Sequence, residues 1–420
     1  MPDLLFLTQR IPYPPIKGEK IRPLQILKYL GQFFDVHLGC LVDDPRDVEH
    51  IEVLRPLCKT SHFAELDRKR AKVTCLRGLL TGEPLSVTFY HDNGLAAWVR
   101  RTLAEVNPRA VFICSSNMAP YVLDTNEFKA MAGTGVSVVD LADVDSEKWR
   151  AYAQTGSFPM SWVHRREWRL TAALERRIAR ECDWSTFVSA EEAALFAAMV
   201  PEYADKIRSV SSGVDHIYFD PACAQGTGSA PLYDVSRPNY VFTGTMDYPP
   251  NIDAVVWFAE EILPILRRAQ PSAQFHIVGS SPAPAVEKLA ALEGVFVTGR
   301  VADVRPYVAH ATAGVAPMRI ARGIQNKVLE AMAMARPVVV TPDALEGIDA
   351  VPGSEVILAA DAAGFAAGCV RAAGPDGAAI GAAARRRVLA DYVWAERLHG
   401  FDPLLGIATG SVPAAQAGTA

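Results

Sequence analysis

Nothing in this chain offers a covalent or metal framework. Its seven cysteines (Cys40, Cys58, Cys75, Cys114, Cys182, Cys223 and Cys369) are scattered, odd in number and never spaced C-x-x-C. That argues against a disulfide scaffold and against a cysteine zinc site. The nine histidines include no H-E-x-x-H, and neither G-x-S-x-G nor a P-loop motif occurs. No apolar run approaches the roughly 20 residues that span a bilayer, and residues 1–10 show no basic leader ahead of a long apolar region. A basic excess is missing too. The formal charge is −5 and the pI is near 6.0, unlike the footprint of a nucleic-acid binder. These absences predict a cytoplasmic protein that uses no metal and no resident cofactor.

What is present is ample apolar material. At 420 residues and 50% hydrophobic content the chain can build two or three cored domains. Short apolar runs at 3–8, 36–42, 110–114, 136–141 and 184–188 alternate with longer helical patterns. A second series follows at 239–243, 274–278, 294–297, 314–316, 337–341 and 355–358. This alternation predicts two parallel α/β sheets. Between the series, residues 220–231 (DPACAQGTGSAP) have turn chemistry without periodicity and read as the linker. The expected domains are 1–215, completed by 392–405, and 237–391, joined by 216–236. Residues 406–420 read as a disordered tail.

The richest stretch is 319–340, RIARGIQNKVLEAMAMARPVVV. It reads as a loop bearing Gly323, a short helix and a buried strand. Such a loop offers free N–H groups at a helix N-terminus, where anions are favoured. Arg319, Arg322, Gly323, Ile324, Gln325 and Asn326 are the candidates for holding a phosphorylated ligand there. Lys327 and Glu330 are three apart and share a side of the helix, while Val328, Met332 and Ala335 form a core stripe. An ordinary helix with a surface Lys–Glu pair accounts for the same residues. Other strands also end in glycine, at Gly244, Gly279 and Gly299. Near the N-terminus, residues 10–22 place Gly18 among Lys17, Lys20 and Arg22, which would add positive charge to a ligand edge.

Several motifs now coincide in order over roughly residues 1–395. Residues 180–189 (RECDWSTFVS), 212–221 (SGVDHIYFDP) and 322–340 resemble those of the family-four retaining glycosyltransferases. Residues 392–394 resemble the start of that family's returning helix. More narrowly, the chain is similar to the sugar transferases of exosortase/PEP-CTERM exopolysaccharide systems. The resemblance implies a GT-B fold: two doubly wound Rossmann-like domains facing across a cleft, with a C-terminal helix crossing back to the first. It implies transfer, with retention, of a sugar from a nucleotide diphosphate donor to a glycan or polyprenyl-linked acceptor, in exopolysaccharide or cell-surface glycan synthesis. By the same resemblance Glu330 accepts hydrogen bonds from the donor ribose, Gly323 and Gly18 approach the diphosphate, and Arg300 and Val301 frame the base. Arg322 stands where the family has the first of two glutamates, and the usual Arg/Lys pair after Gly244 is missing. Lys327, with Arg319 or Arg322, is expected to supply that charge.

For the acceptor the candidates are Asn117, Asp143 and Lys148, on loops that follow strands. Asp143-Val144-Asp145 is a D-x-D, but an acceptor-side role fits it better than a metal. The basic run 162–177, with Trp162 and Trp168, reads either as a solvated helix face or as a contact with anionic lipid at the cytoplasmic face of the membrane. Two other readings stay open: a GT-B sugar-nucleotide epimerase and a non-enzymatic sugar-binding protein.

Overall fold

The computed structural model describes residues 1–15, 18–79, 82–155, 157–222, 232–321 and 323–408. The chain divides into two compact units, Met1–Ser211 with the segment from Leu398 onward, and Ser212–Arg397. These divisions fall a few residues from the expected ones at 215 and 392. Most of the expected tail, from residue 409, and residues 223–231 of the expected linker lie outside the described residues.

The first unit holds a seven-stranded parallel sheet of β1 (Asp3–Thr8), β2 (Asp35–Val42), β3 (Thr60–Glu65), β4 (Ala110–Cys114), β5 (Val136–Ala142), β6 (Trp184–Phe187) and β7 (Ile207–Ser209). The order is β3-β2-β1-β4-β5-β6-β7, so the winding reverses between β1 and β4. Leu4 to Leu7 and Ala110 to Ile113 are fully buried because helices cover both faces, which is why these strands read as continuous apolar runs. Two strands escape the sequence pattern. β3 (TSHFAE) is an edge strand whose one buried side chain is Ala64, and β7 has three residues.

The second unit repeats the plan with β8 (Asn239–Thr243), β9 (Gln274–Val278), β10 (Val295–Gly299), β11 (Ala313–Ala316), β12 (Val338–Val340) and β13 (Ile357–Leu358). Its order is β10-β9-β8-β11-β12-β13, all parallel, with the reversal between β8 and β11. Phe258 packs at a tilt against Phe275 at 4.2 Å and meets Phe365 edge-on at 6.0 Å. Each such fully buried aromatic contributes roughly 1.5–3 kcal/mol through removal from water. Among the described residues no helix is long and apolar enough to cross a membrane.

The chain's last described segment completes the first unit. Phe401 is fully buried and meets Phe112 edge-on at 5.1 Å. The Tyr29 hydroxyl donates to Asp402, whose second oxygen lies 2.8 Å from Nδ1 of His399.

Candidate active site

In an open parallel sheet the winding reversal leaves a crevice at the carboxyl ends of the strands, with loops diverging to both faces. In the second unit that point lies between Thr243, ending β8, and Ala316, ending β11. The chain leaving β11 passes Arg319 and Gly323 and enters the helix Asn326–Ala333. Gly323 has φ +64°, a left-handed conformation that a side chain disfavours. Val328, Leu329 and Met332 are fully buried and fix the helix rotation, so Lys327 and Glu330 are carried on another side, both partly buried. The helix ends at Ala333, and Ala335 lies beyond it at φ +54° rather than on the core stripe.

Among the described residues Lys327 makes no ion pair within 4.0 Å. Its ammonium lies 3.3 Å from Oδ1 of Asn251, 3.3 Å from Oε1 of Gln325 and 4.9 Å over the Phe242 ring. Burial drives its pKa down to about 8, countered in part by Glu330. Burial likewise pushes the Glu330 carboxyl up to about 7, against the opposing pull of Lys327 and a hydrogen bond with Thr243. The helix thus presents, one turn apart, a cation that sheds its proton readily and a carboxylate that holds one. Perturbed pairs of this kind mark sites prepared for a charged ligand.

The remaining expected residues lie along the same sheet edge, at the ends of the neighbouring strands β10, β9, β8 and β11. Gly244 follows β8, and a Cβ there would lie 2.8 Å from Nδ2 of Asn251, so its smallness admits that side chain. A Cβ on Gly279 would lie 1.6 Å from the Gly244 carbonyl oxygen, so the loops after β8 and β9 touch through backbone. Arg300 is exposed just past β10, and Val301 packs against the cluster of Val241, Val278 and Ala311. Ile324, Gln325 and Asn326 lead into the helix, with the Gln325 amide donating to the Gly323 carbonyl at 3.2 Å. Arg319 is engaged elsewhere. It forks onto Asp253 at 3.0 and 2.5 Å and lies 5.1 Å over Trp257. Arg322 lies outside the described residues.

In the first unit, Gly18 begins the helix Gly18–Leu30 after β1, and Lys17 lies outside the described residues. Lys20 and Arg22 do not add free positive charge at that edge. Lys20 is buried against Asp47 at 2.5 Å, and Arg22 forks onto Asp140 at 2.7 and 2.8 Å with a third bond to the Val210 carbonyl. They lie two and four residues beyond Gly18 along the helix and point into the protein, where an unpaired charge is prohibitive. Asn117 follows β4, buried, with Oδ1 lacking a hydrogen-bond partner among the described residues. Asp143 follows β5, and its carboxylate, like that of Asp145, takes Lys148 Nζ, at 2.9 and 3.1 Å. Asn117 and Asp143 therefore follow the ends of two adjacent strands, while Lys148 lies not on a loop but in the helix Asp145–Thr155, paired to Asp143.

Sequence reasoning missed Asn251, Thr243 and Phe242 as the surroundings of Lys327 and Glu330, because their proximity is tertiary. It also missed Glu175, inside the run read as basic. This carboxyl is buried, accepts from the Ser146 N–H at 3.1 Å and is pushed up to about 8 by burial.

Residues 237–374, which contain β8 to β13 and the Lys327–Glu330 helix, match the family model of the group 1 glycosyl transferases. No match is found among curated protein sequences. The fold is that of the GT-B glycosyltransferases, an α/β chain of two parallel-sheet Rossmann-like units. Sucrose-phosphate synthase from Thermosynechococcus elongatus is similar at TM-score 0.70 and 16% identity, covering 96% of this chain and 98% of that one. Anabaena HepE, in complex with UDP and glucose, is similar at TM-score 0.64 and 14% identity, covering 97% and 100%. WaaG, a glycosyltransferase involved in lipopolysaccharide biosynthesis, is similar at TM-score 0.64 and 17% identity, covering 96% and 100%.

Proposed function

We propose that the protein transfers a sugar, with retention, from a nucleotide diphosphate donor to a hydroxyl of a glycan or polyprenyl-linked acceptor, in the synthesis of an exopolysaccharide or other surface glycan at the cytoplasmic face of the membrane. The observation that carries this reading is the Lys327–Glu330 pair at the winding reversal of the second sheet, inside the stretch that matches the group 1 model. Glu330, as a carboxylate, accepts hydrogen bonds from the donor's ribose diol. Lys327 and the N–H groups around Gly323 face the diphosphate. As the anomeric bond breaks, negative charge grows on that leaving group, and a preorganised cation stabilises it more in the transition state than in the ground state. In this reading Lys327 takes the place of a metal.

HepE is described with UDP and with UDP-glucose, so uridine donors come first in a screen. The test is thermal stabilisation by nucleotide sugars. A donor at 100 times its Kd should add about 2.7 kcal/mol, and Glu330→Ala should abolish the effect. If no nucleotide or nucleotide sugar stabilises the wild type, the transferase reading fails. Retention is then read from the anomeric proton coupling of the product.

A further inference from the structure

Where the helices Asp145–Thr155 and Met160–Glu181 follow one another, Tyr152 of the first (49%), Phe158 ahead of the second (83%), and Met160 (51%) and Trp162 (55%) of the second are exposed. Single exposed apolar residues are ordinary, but four large ones within eleven positions form a patch. Trp162, Arg165 and Arg169 are spaced three and seven apart and share an exposed face of the second helix. No carboxylate occurs from Lys148 to Arg166, or from Arg68 to Gly82, although the whole chain carries a net charge of −5. The second of these stretches holds the helix Arg68–Gly78, with five Lys or Arg and an exposed Val73. The two regions are fastened together. Arg166 donates to the carbonyls of Gly78 at 2.6 Å and Glu83 at 3.1 Å, and Glu167 accepts from the Leu85 N–H at 2.7 Å. Among the described residues Lys69, Lys72, Arg165 and Arg169 make no ion pair, so their charge faces solvent.

We propose that this part of the first unit is a docking surface for an anionic phospholipid bilayer, with Phe158, Met160 and Trp162 entering the interface and Lys69, Lys72, Arg165 and Arg169 facing the headgroups. Aromatic and aliphatic side chains beside uncompensated cations suit the boundary between acyl chains and negative headgroups. A protein partner would be served by the apolar patch alone. The local reversal of an otherwise acidic chain is what selects the membrane. The surface gives a physical basis to the membrane setting of the reading above, but its binding step needs no sugar donor.

The test is flotation of the full-length protein with phosphatidylcholine vesicles, with and without phosphatidylglycerol. Binding is expected only with the anionic lipid and should weaken as salt rises. The double variants Phe158→Ser/Trp162→Ser and Arg165→Glu/Arg169→Glu should each lower the partition coefficient at least roughly tenfold. Their melting temperatures and donor-induced stabilisation should stay at the wild-type level, which separates failure of this surface from failure of the transferase reading. Absence of vesicle binding, equal binding by the variants, or a dimer that Phe158→Ser/Trp162→Ser dissociates would overturn the proposal.

Discussion

Asn251 presents its Oδ1 to the Lys327 ammonium at 3.3 Å while its Nδ2 donates to the Thr245 carbonyl at 2.8 Å. A carbonyl can only accept, so the amide orientation is fixed and the oxygen must face the lysine. Asn251 is thus a positioning residue for the cation. Replacing it in two directions should move the titration of Lys327 in two directions. Asn251→Leu removes an acceptor and should shift the alkaline limb of nucleoside diphosphate affinity below its wild-type place near pH 8. Asn251→Asp adds a negative charge and should shift it upward by about one unit. Calorimetric titrations with UDP across pH measure both, and movement in the same direction would refute the assignment.

Donor affinity should be bell-shaped in pH. Glu330 accepts best as a carboxylate, which with its pKa near 7 requires higher pH. Lys327 attracts diphosphate only while protonated, which with its pKa near 8 requires lower pH. Binding should therefore peak between these values and fall on either side. Glu330→Gln should remove the acid limb, and Lys327→Arg should carry the alkaline limb beyond the measurable range.

The contact between the loops after β8 and β9 leaves no volume for one more carbon. Gly279→Ala puts a methyl 1.6 Å from the Gly244 carbonyl oxygen, which forces backbone apart beneath Asn251. A loss of roughly 2–4 kcal/mol in urea denaturation is expected, together with weaker donor binding.

Arg22 and Asp140 form a buried forked pair that also engages Thr186 and the Val210 carbonyl. Truncating one partner strands the other charge in the interior. Arg22→Leu or Asp140→Ala alone should cost about 3–5 kcal/mol. The double variant Arg22→Met/Asp140→Leu should recover much of that loss, as chemical denaturation would show.

The parallel sheets were readable because their strands are buried on both faces, so runs such as Leu4 to Leu7 carry no polar break. β3 was not readable, since an edge strand exposing Thr60 and Glu65 has no such run. Lys327 and Glu330 stood out because helical spacing is local information. Their environment did not, because Asn251 lies 76 residues before Lys327. The burial of Lys20 and Arg22 was hidden for the same reason: their counter-charges, Asp47 and Asp140, come from other elements. A cation beside a loop glycine looks the same in sequence whether it faces ligand or core.

The return of the chain to its first unit sets an order of assembly during translation. Residues 212–397 form an uninterrupted unit that can close as soon as it is made. Phe112 and Tyr29 must wait for Phe401 and Asp402, which are synthesised only after the whole of the second unit. The half begun first is therefore the half finished last, and a nascent chain halted before residue 398 should leave an apolar face open to chaperones.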